Sequence, residues 1–267
     1  MTEILYDSIG TNYNNTRRAD PYITERLHTL LSPSPDGLYL DIGCGTANYL
    51  TALAQKGVRL YGVDPSQVML QQARAKDNNA KFFCAKAEEL PFTDEFFDGC
   101  TATFTLHHWS DKLKGLTEVT RVLKTGARMV FLSFTGEQMR GYWLNQYFPE
   151  MMKRSWELLP ELPGMEKLLN DAGLKLVATE NYIVQEDLQD HFVYSNKHRP
   201  EQYLRPEIRQ NASSFSSFVT PEELKSGLAA LEADIASGAI RDVMKSFEND
   251  KGDYLFLVAE KMAGAGL

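Results

Sequence analysis

The densest group of chemistry-bearing residues is Asp41-Ile42-Gly43-Cys44-Gly45-Thr46-Ala47, with an apolar run before it and an amphipathic stretch after it. Glycines at this spacing permit a tight turn and let backbone approach a ligand closely. A helix starting just beyond would present unpaired N–H groups. Asp64 closes the next apolar run, 21 residues after Gly43. That spacing sets a carboxylate beside a ribose held over the glycine turn, where it accepts from both sugar hydroxyls. A dinucleotide site calls for G-x-G-x-x-G, whose third glycine admits a pyrophosphate. Here Asn48 stands at that third position. Asp41 would repel a pyrophosphate but suits an ammonium group. S-adenosylmethionine carries an ammonium and a sulfonium and no phosphate, so charge favours it over NAD.

The elements that must hold these residues alternate regularly. Asp20 and Pro21 open a helix over 20–31, with Ile23, Leu27, Leu30 and Leu31 on one face. Leu38–Ile42 is a predicted buried strand and 46–56 a helix closed by Gly57. Val58–Val63 is the second strand, 66–76 the next helix, Lys81–Ala85 the third strand and Phe97–Thr103 the fourth. A helix over Ser110–Leu123 ends in Lys124-Thr125-Gly126, and Ala127–Phe134 is the fifth strand. Such alternation specifies an α/β fold with a mostly parallel sheet covered on both faces.

After residue 136 the pattern changes. Residues 137–160 are rich in Met, Trp and Tyr and read as helical. A helix over 164–172 and a strand over 174–184 follow, then a mostly helical stretch over 186–250. Within it Thr220-Pro221-Glu222-Glu223 has the pattern of a capping box, ahead of an apolar face of Leu224, Leu228, Leu231 and Ile235. Tyr254–Ala259 is the last strand, with a loose tail over 263–267. No linker separates two autonomous units, so the expectation is one domain over 1–267, with a cofactor-binding core at about 36–135 and lid insertions at about 137–162 and 186–250.

Composition narrows the partners. The net charge of −8 opposes contact with phosphate backbones, so no nucleic-acid partner is expected. No apolar run reaches the ~18 residues of a membrane span. Met1–Asp7 has neither signal nor transit character, which together with the sparse cysteines implies a cytoplasmic protein. Cys44, Cys84 and Cys100 match no metal-site spacing and are expected to be buried free thiols; no metal is expected. No G-x-S-x-G elbow points to a hydrolase.

In this order and spacing the motifs resemble the class I S-adenosylmethionine-dependent methyltransferases, closest to the branch of ubiquinone and menaquinone C-methyltransferases. They are Leu40-Asp41-Ile42-Gly43-Cys44-Gly45-Thr46, Tyr61-Gly62-Val63-Asp64-Pro65-Ser66 and Ala87-Glu88-Glu89-Leu90-Pro91-Phe92. Phe97-Asp98 through Leu106-His107-His108-Trp109 and Arg121-Val122-Leu123-Lys124-Thr125-Gly126 complete them. The resemblance implies a Rossmann-like seven-stranded sheet and methyl transfer to a small molecule, apolar or aromatic, leaving S-adenosylhomocysteine. It also leaves open other group-transfer chemistry on the same cofactor, or a non-catalytic cofactor-binding protein.

By the same resemblance Asp41, Gly43 and Gly45 line the methionine part of the cofactor and Asp64 holds the ribose. Cys44, Pro65 and Met69 are further expected cofactor-binding residues. Ala87 and Glu88 flank the adenine, and Thr103 sits near the sulfonium end. Lys86 stands where an adenine-accepting Asp is common, so backbone contact at Ala87 is the safer expectation. Tyr6–Tyr13 resembles a segment that closes over the cofactor. Tyr13, Arg17 and Arg18 then become candidates for its carboxylate, against the alternative of an ordinary solvated helix. His107 and His108 are the candidate general bases, against a role in shaping the pocket. The aromatic stretch at 139–156 divides between a lid over an apolar acceptor and core packing, and Asn211–Phe218 between a pocket loop and a surface connection. Nucleic-acid amine methylation is disfavoured, because Thr103-Phe104-Thr105-Leu106 stands in place of Asn/Asp-Pro-Pro-aromatic. Monomer and homodimer both remain open.

Overall fold

A computed structural model describes residues 17–77, 80–210 and 212–264. Helix α1 (Pro21–Leu31) starts where Asp20 accepts from the Ile23 N–H, with Pro21 in its first turn. The chain then builds β1 (Leu38–Ile42), α2 (Asn48–Gln55), β2 (Arg59–Asp64), α3 (Gln67–Lys76), β3 (Lys81–Cys84), β4 (Phe97–Thr103), α4 (Lys112–Val122) and β5 (Leu123–Ser133). Ser66 and Asp111 cap α3 and α4 through the N–H groups of Met69 and Lys114. After β5 come α5 (Gly136–Arg140), α6 (Pro149–Trp156), α7 (Leu162–Asp171), β6 (Leu174–Tyr182), α8 (Pro206–Gln210), α9 (Ser213–Ser217), α10 (Pro221–Ser237), α11 (Ile240–Ser246) and β7 (Tyr254–Lys261).

The seven strands form one sheet in the order β3-β2-β1-β4-β5-β7-β6. The first five run parallel, and β7 lies antiparallel between β5 and β6. The chain winds outward from β1 to β3 and then restarts on the other side of β1 with β4. Ligands in open α/β sheets bind at such a reversal, beyond the carboxyl ends of the strands. The ends of β1 and β4, Ile42 and Thr103, therefore border the site.

Several local expectations need correction. The expected turn Lys124–Gly126 lies inside β5, where pairing slips from Phe97–Leu123 to Gly99–Arg128 and Gly126 takes a φ of +78°. The stretch 137–160 is helical as expected, in three pieces: α5, a 3₁₀ turn at Trp143–Gln146 and α6. Pro149 disfavours helical backbone at Phe148 and so restarts the chain there. Thr220 does cap α10, but Glu223 does not return the bond. Its carboxylate accepts instead from the N–H groups of Glu150 and Met151 at the start of α6, tying two helical segments together. Cys44 and Cys100 are buried, whereas Cys84 is exposed, because β3 is an edge strand. Tyr142, Trp143, Phe148, Met151 and Met152 are all buried core residues, and their rings pack largely on the later insertion, Tyr142 on Tyr194, Trp143 on Tyr203 and Phe148 on Phe215.

Candidate active site

The glycine turn hangs from the end of β2. The N–H groups of Gly43 and Cys44 both donate to the Val63 carbonyl, at 2.8 and 3.0 Å. The Gly45 N–H donates to Asp64 Oδ2 at 2.9 Å, and Ser66 N–H donates to Oδ1 at 2.8 Å. Gly43 and Asp64 thus share one corner of the sheet. Gly43 has a φ of +69°, and a Cβ there would lie 2.0 Å from Thr105 Oγ1. Close approach of the post-β4 loop therefore demands glycine, beyond the conformational preference alone. Ala47 also adopts left-handed backbone before α2, and Asn48 occupies the expected third-glycine position. Its side chain works as a tether: Nδ2 donates to the Arg17 carbonyl at 3.1 Å, and Oδ1 accepts from Lys76.

Beside this turn lies a cleft of about 410 Å³, including space open to solvent. Of the expected cofactor residues, Asp41, Gly43, Cys44, Gly45 and Thr103 line it. Asp41 is buried and accepts from Thr101 Oγ1 at 2.8 Å. Burial pushes its carboxyl up to about 7, against the pull of the Thr101 bond and with help from the Asp64 charge. A buried carboxylate with no cationic partner among the described residues suits a ligand ammonium. The hydroxyl of Thr103 is buried with no hydrogen-bond partner among the described residues. Both observations fit the polar methionine end of an adenosyl ligand.

Asp190 escaped notice in the sequence. It lies in an irregular segment after β6, with no motif around it, yet it is buried at the same cleft. Its carboxylate accepts from Arg17 Nε at 2.5 Å, from Arg17 Nη2 at 3.2 Å and from the Tyr49 hydroxyl at 3.0 Å. Arg17 itself lines the cleft.

A second cavity, about 460 Å³ with its open mouth, adjoins the first. Its walls are mainly apolar, among them Phe104, Phe134, Met139, Phe192 and Tyr254, with Arg17, His107, Ser213 and Ser214 as polar groups. Arg17 is common to the two cavities. Of the aromatic stretch only Met139 reaches this wall, while Ala212, Ser213 and Ser214 make the neighbouring segment part of the pocket; Asn211 lies outside the described residues. Phe104 has a φ of +51°, costly for a bulky residue, and packs on Phe192 and Tyr254 at centroid distances of 4.5 and 5.1 Å. The kink separates Thr103 in the first cleft from Phe104 in the second.

His107 lines the apolar cavity, and its Nδ1 is buried without a hydrogen-bond partner among the described residues. Burial, then the His108, Lys112 and Arg17 charges, hold it well below the usual histidine range. His108 packs on it at a centroid distance of 3.9 Å, with the rings tilted by 45°, and is pushed down to about 4 by burial, Arg17 and Lys112. Both imidazoles are therefore neutral near pH 7.

The remaining expected residues lie at the margins. Met69 is buried and donates its N–H to the Ser66 cap. Pro65 offers its carbonyl to the Cys84 thiol. Ala87 is buried. Glu88 accepts from Ser110 Oγ at 2.7 Å and the Asp111 N–H at 3.1 Å. Burial works against its charge, but those bonds outweigh it and hold the carboxyl below the usual range. Tyr13 lies outside the described residues.

Comparison with known proteins bears on the family. Residues 40–131 match the family profile described as a methyltransferase domain. A demethylmenaquinone methyltransferase of Lysinibacillus sphaericus is 31% identical over 208 residues, covering 67% of this chain and 89% of that protein. The chain belongs to the class I S-adenosylmethionine-dependent methyltransferases. A demethylmenaquinone methyltransferase of Clavibacter sepedonicus is 33% identical, the match covering 56% of this methyltransferase and 66% of the relative, just short of two thirds. A solved structure from Anabaena variabilis, described as a methyltransferase from an antibiotic biosynthesis pathway, superposes with a TM-score of 0.81. It is 31% identical, with 91% of this chain and 98% of that chain covered. No described helix is long and apolar enough to cross a membrane.

Proposed function

We propose that this methyltransferase acts on a small, largely apolar acceptor carrying an acidic hydroxyl or comparable group, bound in the cavity lined by Phe104, Phe134, Met139, Phe192 and Tyr254. The observation that carries this reading is the buried Nδ1 of His107, without a partner among the described residues, in a mainly apolar wall. An unsatisfied buried acceptor costs about 1–3 kcal/mol and is made good by a ligand that donates to it. The relatives from Lysinibacillus and Clavibacter are named as demethylmenaquinone methyltransferases.

On this reading Asp41 holds the cofactor ammonium, Arg17 its carboxylate and Asp64 its ribose hydroxyls. Gly43, Cys44 and Gly45 let backbone lie close beneath, Thr103 faces the sulfonium end, and Ala87 meets the adenine through its backbone. S-adenosylmethionine, when bound, supplies an electrophilic methyl group on a sulfonium that departs as a neutral thioether. The protein's own task is alignment and exclusion of water. Neutral His107 accepts a hydrogen bond from the acceptor and draws off its proton as the methyl group arrives; a depressed basicity makes it a weak base that serves an acidic acceptor. His108, outside the cavity wall, packs its ring against that of His107 and holds it in place.

An acceptor screen with methyl-labelled S-adenosylmethionine tests this. Label is expected in apolar molecules bearing a phenol, enol or acid. Transfer confined to small hydrophilic amines would refute the acceptor assignment.

A further inference from the structure

We propose that Asp190 is a positioning residue that fixes the Arg17 guanidinium for the carboxylate of the cofactor. The inference rests on the cofactor placement above and assigns a role to a residue outside the glycine turn and strand ends. Asp190 is only 1% exposed, and its two oxygens grip Arg17 in a forked, two-bond geometry. Such pairing fixes direction as well as charge. Tyr49, on the first turn of α2, donates to the same carboxylate, and neighbouring Asn48 holds the Arg17 carbonyl. Among the described residues, the arginine is therefore held at side chain and backbone from the helix that follows the glycine turn and from the segment after β6.

That segment also serves the other cavity. Asp190 lines the polar cleft, and Phe192 and Val193, two and three residues on, line the apolar one. A long arginine side chain loses much rotamer freedom when a ligand fixes it. The Asp190 fork meets that cost during folding, so the cofactor meets an arginine already aimed.

Titration calorimetry with two ligands reads the effect. S-adenosylhomocysteine carries the amino-acid end; 5′-methylthioadenosine has the same nucleoside without it. Asp190→Asn is expected to weaken S-adenosylhomocysteine about tenfold and to leave methylthioadenosine unchanged. In an Arg17→Ala background the same substitution is expected to alter neither. Equal loss for both ligands, unchanged or tighter S-adenosylhomocysteine binding, or an Asp190 effect that persists without Arg17 would overturn the proposal. Should Asp190→Asn fail to fold, Tyr49→Phe removes one donor from the same carboxylate. It is expected to weaken S-adenosylhomocysteine about threefold and spare methylthioadenosine, and no selective loss would overturn the proposal equally. Wild-type protein that binds neither ligand would instead remove the cofactor placement beneath it.

Discussion

On the proposed placement, the buried carboxyl of Asp41 makes cofactor binding weaken as pH falls through neutrality, where an exposed carboxylate would lose it only at more acid pH. Its carboxyl is pushed up to about 7, chiefly by burial, so a large share is protonated near neutrality before ligand arrives. The ligand's ammonium binds the ionised form, and binding expels the proton. If only that form binds, the apparent dissociation constant scales with one plus the ratio of protonated to ionised Asp41. Between pH 7.5 and pH 5.5 this predicts a weakening of roughly 25-fold, close to 2 kcal/mol. The neighbouring imidazoles do not account for it, since His107 and His108 are held below this range and stay neutral. Stability of the free protein runs the other way. A carboxyl raised on folding contributes stability below its unfolded value, and that contribution is lost as pH rises through about 7. The assay is calorimetric titration with S-adenosylhomocysteine across this range, in buffers of different ionisation enthalpy to count released protons. Asp41→Asn is expected to bind more weakly and with no pH slope. A flat profile in the wild type, or the same slope in Asp41→Asn, would refute the assignment of Asp41 to the ammonium.

Other substitutions probe the rest of the site. Asp64→Ala is expected to weaken S-adenosylhomocysteine by about 2–3 kcal/mol, because the ribose loses a charged acceptor and the Gly45 N–H loses its partner; unchanged affinity by titration would remove Asp64 from the ribose. With an acceptor from the screen, His107→Ala is expected to lower kcat about 100-fold and His108→Ala far less; equal turnover in both would reduce His107 to a wall residue. Gly43→Ala is expected to destabilise the fold by more than the ~1–2 kcal/mol of left-handed strain, since its Cβ meets Thr105, whereas Gly45→Ala, with open space around it, should cost that strain alone. Thermal unfolding of the pair checks this, and equal losses would contradict the close approach of the post-β4 loop.

The sequence carried the parallel half of the sheet well. Leu38–Ile42 and Phe97–Thr103 occur where periodicity sets them, because buried central strands read as short apolar runs between turn residues. The glycine turn and Asp64 were legible for the same reason: the chemistry is local, and its spacing is fixed by one β-turn-α-β unit. The apolar cavity was not. Its wall gathers Phe104, Phe134, Phe192, Ala212 and Tyr254 from segments far apart in the chain, and no window of sequence contains them together. Asp190 was illegible because its partners Arg17 and Tyr49 are 173 and 141 residues away. The stripe at 139–156 misled in part because core helices and pocket walls share one composition; only the position of Met139 on the cavity wall separates it from its equally buried neighbours Trp143 and Met152.

The two cavities meet where the backbone is least comfortable. Phe104 holds a left-handed conformation worth roughly 1–3 kcal/mol of strain, with no glycine to relieve it. Its N–H is spent on the Leu132 carbonyl, and its ring is locked between Phe192 and Tyr254, so the surroundings over-determine the conformation. The strain turns consecutive side chains, Thr103 and Phe104, into different cavities. In-line transfer needs donor and acceptor carbons held a few ångströms apart with water excluded between them. On the proposed reading, Thr103 at the end of β4 faces the sulfonium and Phe104, next in the chain, floors the acceptor pocket, which would set that distance. Glycine at 104 would relax the turn but remove the floor, which is why the position calls for an aromatic ring despite its backbone.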